Sequence, residues 1–373
     1  MYPRLVINLA KIKHNTEYLV NLLGSNGISV AAVTKVFCAD QKIVETILDC
    51  GVKYLADSRL ENIESYPKHK VETMLLRLPS PKEAKRVVEG CDISLVSEIK
   101  TINALAKAAD EQNKLHGVIL MVDLGDLREG VYYRNEELLL QTAKTIHSKK
   151  SLKFCGIGTN LTCYGSVLPT LKNMQLLLET VKKIEVNLHV KLPVISGGNS
   201  SSLHLFYGSQ NQQNSTMNGN ISSTVKNEMS YGVTNLRLGE SIVRGHETAY
   251  GKPFEGLETD AVILEAEIIE IMEKPSYPEG EIGINAFGEK IHYDDIGIRK
   301  RAILAVGRQD IDHEGLHCLE PNINIIGASS DHLLVDVASS NKEFNVGDIL
   351  VFSLSYGSIL SGFTSKYVKR NYV

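Results

Sequence analysis

The chain has 373 residues, 43% of them hydrophobic and 23% charged, with a formal net charge of -4. Those values exclude a disordered, charge-rich chain and leave no basic field that would draw nucleic acid or an anionic membrane. The length suits an α/β barrel of roughly 250 residues joined to a smaller second unit.

Met1 to Asn15 lacks the apolar core of a secretory signal, and no stretch is apolar for long enough to span a bilayer, so a cytoplasmic protein is expected. Six cysteines (Cys38, Cys50, Cys91, Cys155, Cys163 and Cys318) are scattered without a C-x-x-C pair. They read as reduced thiols, with no disulfide frame, zinc knuckle or other metal site indicated.

Along the chain, short β-rich runs alternate with helical patterns. Candidate strands lie at 28–33, 53–56, 72–78, 92–96, 117–122, 153–157, 192–195 and 235–238, eight in all. Amphipathic stretches at 40–48, 97–112 and 136–148 would cover the outside of a closed barrel. The expected fold class is therefore α/β, a (β/α)8 TIM barrel over 12–244 whose chemistry belongs at the strand C-terminal ends. Lys35, Asp57, Arg77, Ser97, Asp123, Asn160, Ser200 and Arg237 all fall at or just past those ends.

After about Gly245 the pattern becomes strands at 261–271, 301–306, 333–337 and 348–354 separated by turns, with no helix of length evident. It reads as a C-terminal all-β domain over 245–373, completed by an N-terminal strand within 1–11. From 209 to 220, Gln, Asn and Ser dominate and periodicity vanishes, as in a surface loop or inserted lid.

Lys35 follows the apolar run Val30-Ala31-Ala32-Val33. An amine held against a partly apolar wall is desolvated, which favours the neutral, nucleophilic form that makes a Schiff base. A lone lysine after a strand is more often a surface residue, so the surrounding motifs decide. Ser196-Gly197-Gly198-Asn199-Ser200-Ser201-Ser202 follows the seventh strand, where small residues let backbone N–H groups and hydroxyls approach an anion. Asn235-Leu236-Arg237-Leu238-Gly239-Glu240 ends the eighth, and barrels often hold phosphate between their last two strands. The segment matches neither a Walker motif nor G-x-G-x-x-G.

These residues resemble the alanine racemase-like, fold-type III pyridoxal 5′-phosphate enzymes, and within them the alanine/ornithine racemase branch. Ala32-Val33-Thr34-Lys35-Val36 is similar to the Schiff-base lysine motif. Val122-Asp123-Leu124-Gly125-Asp126-Leu127-Arg128-Glu129-Gly130 is similar to the loop whose arginine, here Arg128, helps place cofactor and substrate. Val306-Gly307-Arg308-Gln309-Asp310, Gly327-Ala328-Ser329-Ser330-Asp331 and Val346-Gly347-Asp348 follow the family order in the β domain.

The resemblance implies pyridoxal 5′-phosphate on Lys35, with Asn160 packed on its ring and Arg237 facing its nitrogen. Ser200, Gly239 and Tyr356 are implied at the phosphate, within a cofactor cradle that also takes in Gly198, Asn199 and Glu240. It also implies a homodimer in which the β domain of one copy completes the barrel site of the other, the usual isologous symmetry of soluble enzymes. A guanidinium stays protonated, so Arg237 would leave the ring nitrogen unprotonated and carbanion character near Cα, favouring racemisation of a small-molecule amino acid.

Lys35 can serve one face of Cα. The family tyrosine for the other face is absent, since its counterpart is Ala286-Phe287-Gly288. A group from the second copy's β domain is expected there, with Asp331, Ser330, His292 and Tyr356 as candidates. The family tyrosine shortly after the lysine is also missing, its stretch holding Phe37, Cys38 and Ala39. The branch favours ornithine as substrate, with a small or another basic amino acid open and Asp310 or Asp331 as acidic partners for a cationic side chain. The competing readings are a fold-type III decarboxylase or aldolase and a noncatalytic pyridoxal phosphate-binding regulator.

Overall fold

The structure, a computed structural model, describes residues 2–68, 70–206 and 232–373. The 209–220 stretch lies outside the described residues. The chain divides into one unit of Lys11–Thr259 and another of Met1–Ala10 with Asp260–Val373.

β1 (Arg4–Ile7) belongs to the second unit. The barrel strands follow: β2 (Ser29–Val33), β3 (Tyr54–Asp57), β4 (Glu72–Leu75), β5 (Ile93–Val96), β6 (His116–Asp123), then, after the short β7 (Val131–Tyr132), β8 (Leu152–Gly158), β9 (Val194–Asn199) and β10 (Asn235–Leu238). Their order is β5-β4-β3-β2-β10-β9-β8-β6, and β5 pairs with β6 to close the ring. Each of the eight pairings is parallel.

Strands buried on both faces read as continuous apolar runs, and β6 is buried at every position. The interior is packed by side chains such as Ala31, Met74, Leu95, Ile119 and Met121. Gly156 sets the approach of β8 to β9, because a Cβ there would lie 1.8 Å from the Val194 carbonyl oxygen.

Three of the covering helices start at polar caps. Asp40 accepts from the Ile43 N–H at the start of Gln41–Leu48, Asn135 from Leu138 at Glu136–His147, and Thr170 from Asn173 at Leu171–Leu188. The stretch from Gly245 to Thr259 stays with the barrel. Fully buried Asn15, on the helix Leu9–Gly24, donates to the Ile242 and Glu258 carbonyls at 3.0 and 2.9 Å and accepts from the Glu258 N–H at 2.7 Å.

The second unit continues with β11 (Val262–Pro275), β12 (Ile298–Leu304), β13 (Leu316–Cys318), β14 (Asn324–Ala328), β15 (Leu333–Asp336), β16 (Ile349–Leu354) and β17 (Lys369–Tyr372). The sheet order is β13-β16-β11-β12-β15-β14, and β1 pairs antiparallel with β11 and parallel with β17. In β11, Val262, Leu264, Ala266 and Ile268 are buried while the intervening residues are less so, the period of two expected of a half-buried sheet.

One element departs from the all-β expectation: Tyr356–Thr364 is an α-helix capped by the Ser355 hydroxyl. It buries Ile359, Gly362 and Phe363 at helical spacing. Its glycines and serines have weak helix propensity, so burial of that face, and no local preference, makes it helical.

Candidate active site

Lys35 leaves the C-terminal end of β2 as the first residue of a 3-10 turn, Lys35–Phe37, and is half-buried. The residue before it is anchored. Thr34 donates its N–H to the Ala56 carbonyl at 2.9 Å and its hydroxyl to Asp57 Oδ2 at 2.5 Å, and that hydroxyl lies 2.7 Å from the Tyr66 hydroxyl. Asp57 is fully buried, which pushes its carboxyl up, while the hydrogen bond from Thr34 and the Arg59 N–H work the other way. Burial, helped by the Asp57 charge, likewise pushes the Tyr66 phenol well above its ordinary range. Phe37 is fully buried, and Cys38 and Ala39 take left-handed backbone angles of 52° and 51°.

β10 lies beside β2, with Arg237 opposite Ala31. Arg237 is 3% exposed. Its guanidinium donates to the Ser196 hydroxyl, to the Thr159 carbonyl at 2.6 Å and to Asn160 Oδ1 at 2.6 Å. Ser196 in turn donates to Asn235 Oδ1 at 2.7 Å. Burial pulls Arg237 down to about 10, with the Glu129 charge opposing that fall.

Asn160 donates its amide N–H to Glu129, and Glu129 pairs with Arg128, whose Nη2 donates to Oε1 at 2.6 Å. Burial works to raise the Glu129 carboxyl, but the Arg128 hydrogen bond and charge, the Asn160 amide and the Arg237 charge hold it below the usual range. Two guanidiniums, one carboxylate and one amide thus form a continuous chain across the ends of the barrel strands.

The loops carrying that chain are tied down by backbone bonds. Asp123 Oδ1 accepts from the Gly125 and Leu127 N–H groups at 2.8 and 3.1 Å. Buried Asp126 accepts from the N–H groups of Cys163, Tyr164 and Val167 at 3.1, 3.0 and 3.2 Å, joining the loop after β6 to the loop after β8.

At the end of β9, Gly198 has φ +115°, and a Cβ there would meet Ser202 Oγ at 2.7 Å. Asn199 donates to the Leu161 carbonyl at 3.1 Å, and the Ser200 hydroxyl lies 3.1 Å from that of Ser241. Among the described residues, the buried Ser201 hydroxyl has no hydrogen-bond partner. A Cβ on Gly239 would sit 2.8 Å from the Val33 carbonyl oxygen, so only glycine lets the end of β10 lie this close to β2. Glu240, the next residue, pairs with Arg244. The result is a cradle of small residues with a spare buried hydroxyl, between the last two strands of the barrel.

Residues 7–217 match the alanine racemase N-terminal domain. The chain belongs to the alanine racemase family. It is similar over its whole length to the ornithine racemase of Acetoanaerobium sticklandii, at 44% identity over 370 residues covering 99% of each chain. It is also similar to the lysine racemase of Thermotoga maritima, at 34% identity over 374 residues covering 100% of this chain and 99% of that one. Among solved structures, the alanine racemase of Bartonella henselae with covalently bound pyridoxal phosphate has a TM-score of 0.73 at 17% identity, with both chains fully covered. The D-threonine aldolase of Filomicrobium marinum has a TM-score of 0.70 at 12% identity, covering 97% of this chain and 89% of that one. At such identities the likeness shows the shared fold, a (β/α)8 barrel followed by a β domain.

Of the residues singled out from the sequence, Lys35, Arg128, Asn160, Gly198, Asn199, Ser200, Arg237, Gly239 and Glu240 all stand at the C-terminal ends of barrel strands or in the loops that follow. Asp331 and Tyr356 are in the β unit. Asp331 is exposed and accepts from Gln309 Nε2 at 3.0 Å, and Tyr356 is the first residue of the helix Tyr356–Thr364. Asp310 is buried and accepts from the Gly307 N–H at 2.9 Å. Phe287 lies under the Arg308 guanidinium, 4.2 Å from its ring centroid, and Arg308 is also paired with Glu289 at 2.9 Å.

Three residues of the barrel site escaped the sequence reading: Glu129 at the centre of the charge chain, Ser196 under Arg237, and Tyr66 beside Thr34. Glu129 and Ser196 sit inside motifs already recognised, so an acid directly after Arg128 was an available signal. Tyr66 follows the short helix Leu60–Glu64 with no motif around it. Among the described residues, no group of three His, Cys, Asp or Glu side chains is placed to hold a metal ion, and no helix is long and apolar enough to cross a membrane.

Proposed function

We propose that this chain is a pyridoxal 5′-phosphate-dependent racemase that interconverts the L- and D-forms of ornithine or a similar basic amino acid, working in the cytoplasm as a homodimer with shared sites. The observation that carries the reading is the placement of Lys35 and buried Arg237 at the same end of adjacent strands of one closed barrel. The residues fit the cofactor: Gly198 and Gly239 leave no room for side chains beside the neighbouring atoms, and the Ser201 hydroxyl is a buried donor in want of an acceptor.

When bound, the cofactor supplies an electron-withdrawing ring that acidifies the Cα–H of an attached amino acid. Lys35 Nζ would hold the cofactor and, once released, move the proton at Cα on one face. Arg237, whose guanidinium stays protonated, would donate to the ring nitrogen and keep a proton off it. Asn160 would pack on the ring, and its Oδ1 orients Arg237 by accepting from Nη2 at 2.6 Å. Gly198, Asn199, Ser200, Gly239 and Tyr356 would take the phosphate, and Glu240, its carboxylate taken up by Arg244, would shape the end of the cradle. Arg128 would help place cofactor and substrate, and Asp331 from the β domain of the second copy would exchange the proton on the opposite face.

Similarity to racemases named for ornithine and for lysine supports a basic side chain. Six free cysteines support a reducing compartment. Met272, Ile284, Ile296 and Ile298 of the β unit are each more than half exposed, which supports their cover by a second copy. Incubation with L-ornithine, L-lysine and L-alanine followed by chiral chromatography tests the reading. D-ornithine should accumulate towards an equal mixture, and Lys35→Ala should abolish it. Release of CO2 without a D-isomer, or no D-isomer from any substrate, would refute it.

A further inference from the structure

The other end of the barrel carries a cavity of about 390 Å³ whose lining includes Lys53, Tyr54, Glu72, Lys153 and Cys155. Tyr54 and Glu72 are the first residues of β3 and β4, and Lys153 and Cys155 lie in the first half of β8. The cavity is therefore at the strand N-terminal ends, whereas Lys35, Asn160 and Gly239 follow the C-terminal ends of β2, β8 and β10. Apolar side chains including Ala56, Leu95 and Met121 pack the interior between them.

The polar groups of this cavity fall into two classes. The Thr234 hydroxyl is used within the fold, donating to the Pro193 carbonyl at 2.9 Å. Among the described residues, Lys53, Glu72 and Lys153 form no ion pair or side-chain hydrogen bond, although all three line one space. The Tyr54 hydroxyl makes no hydrogen bond among the described residues either, and Tyr54 is only 5% exposed. Burial, with the Glu72 and Cys155 charges, pushes that phenol up to about 12, so it is a neutral donor at ordinary pH.

The Tyr54 hydroxyl has no partner among the described residues and lines the cavity, so an acceptor held there can take its hydrogen bond. Two ammonium groups would favour an anion that Glu72 repels, and Glu72 would favour a cation that the lysines repel. A ligand bearing both charges satisfies all three, and the volume is within the roughly 300 to 1,000 Å³ usual for small-molecule sites. We propose that this cavity binds a free α-amino acid zwitterion, its carboxylate facing Lys53, Lys153 and the Tyr54 hydroxyl and its ammonium facing Glu72. The site is distinct from the candidate active site and independent of the reading given for it.

The test is an NMR titration of the holoenzyme with 13C-labelled tyrosine rings, using α-aminoisobutyrate, a zwitterion with no Cα hydrogen to remove. The Tyr54 resonance, identified by its loss in Tyr54→Phe, should shift along a saturating curve. Lys53→Ala/Lys153→Ala should abolish the shift. Glu72→Gln should weaken apparent binding about fivefold, the scale of one exposed ion pair. All three rim residues are exposed, so these variants should fold and keep the wild-type racemisation rate. No movement of the Tyr54 resonance, an unchanged titration in both charge variants, or an equal shift with inorganic phosphate would overturn the proposal.

Discussion

Asn160 Oδ1 accepts a hydrogen bond from Arg237 Nη2 at 2.6 Å, while the amide nitrogen of the same side chain donates to Glu129. One neutral side chain thereby stands between a buried cation and a carboxylate, and its orientation is set from both sides. Asn160→Leu keeps the volume and removes both bonds, leaving Arg237 one acceptor short. Loss of a hydrogen bond to a charged group costs about 1.5–3 kcal/mol. The expected result is a fall in kcat/KM for racemisation of about tenfold to a hundredfold, measured from both enantiomers.

Glu129 leaves a second signature. It pairs with Arg128 and, through Asn160, supports Arg237. Glu129→Gln keeps the shape and removes the negative charge, so Arg128 becomes less restrained. KM should rise more than kcat falls, by roughly tenfold against a few-fold, and steady-state kinetics separate the two.

Gly239 permits the close approach of β10 to the end of β2. A Cβ there would press on the Val33 carbonyl oxygen at 2.8 Å and Val33 Cβ at 3.0 Å, two residues before Lys35. Gly239→Ala should cost about 1–3 kcal/mol in urea unfolding and lower activity with it. Gly283→Ala, where nothing among the described residues lies within 4 Å, is the control and should change stability by less than about 0.5 kcal/mol.

Thr34 makes the equivalent test on the β2 side. Its hydroxyl is a partner of the fully buried Asp57 carboxylate. Thr34→Val is nearly isosteric and withdraws that donor, so it should destabilise by about 1–3 kcal/mol in urea unfolding. Asp57→Asn in the same background should recover part of that loss, because no buried charge then lacks its donor.

His116 sets a pH dependence unrelated to catalysis. It is 2% exposed, with Nε2 2.8 Å from the Ser94 hydroxyl, and burial pulls the imidazole from 6.5 down to about 4. Between those values the unfolded chain binds a proton that the folded chain does not. Its contribution is therefore complete above 6.5 and is lost as pH falls towards 4, by ~3 kcal/mol in all. Urea unfolding at about pH 7 and about pH 5 should show the loss, and His116→Gln should flatten it.

The barrel strands were legible because a parallel strand buried on both faces carries its signal in its own residues, as Val30-Ala31-Ala32-Val33 does before Lys35. The β domain was legible in part. β11 alternates cleanly, but β17 is too polar to read as a strand, and the helix Tyr356–Thr364 is rich in residues that favour no helix. Lys35, Arg128 and Arg237 could be singled out because each belongs to a recognisable local run, and Asn160 because it ends a barrel strand and resembles a family residue.

Local pattern was thus enough for the fold class, and the resemblance of short motifs for the family, since both depend on short-range runs of residues. It could not reveal that Tyr66 reaches Thr34 across 32 positions, that Glu129 meets Asn160 across 31, or that Lys53, Glu72 and Lys153 gather around one cavity. Those meetings follow from closing eight strands into a ring, which makes neighbours of residues that share no local pattern at all.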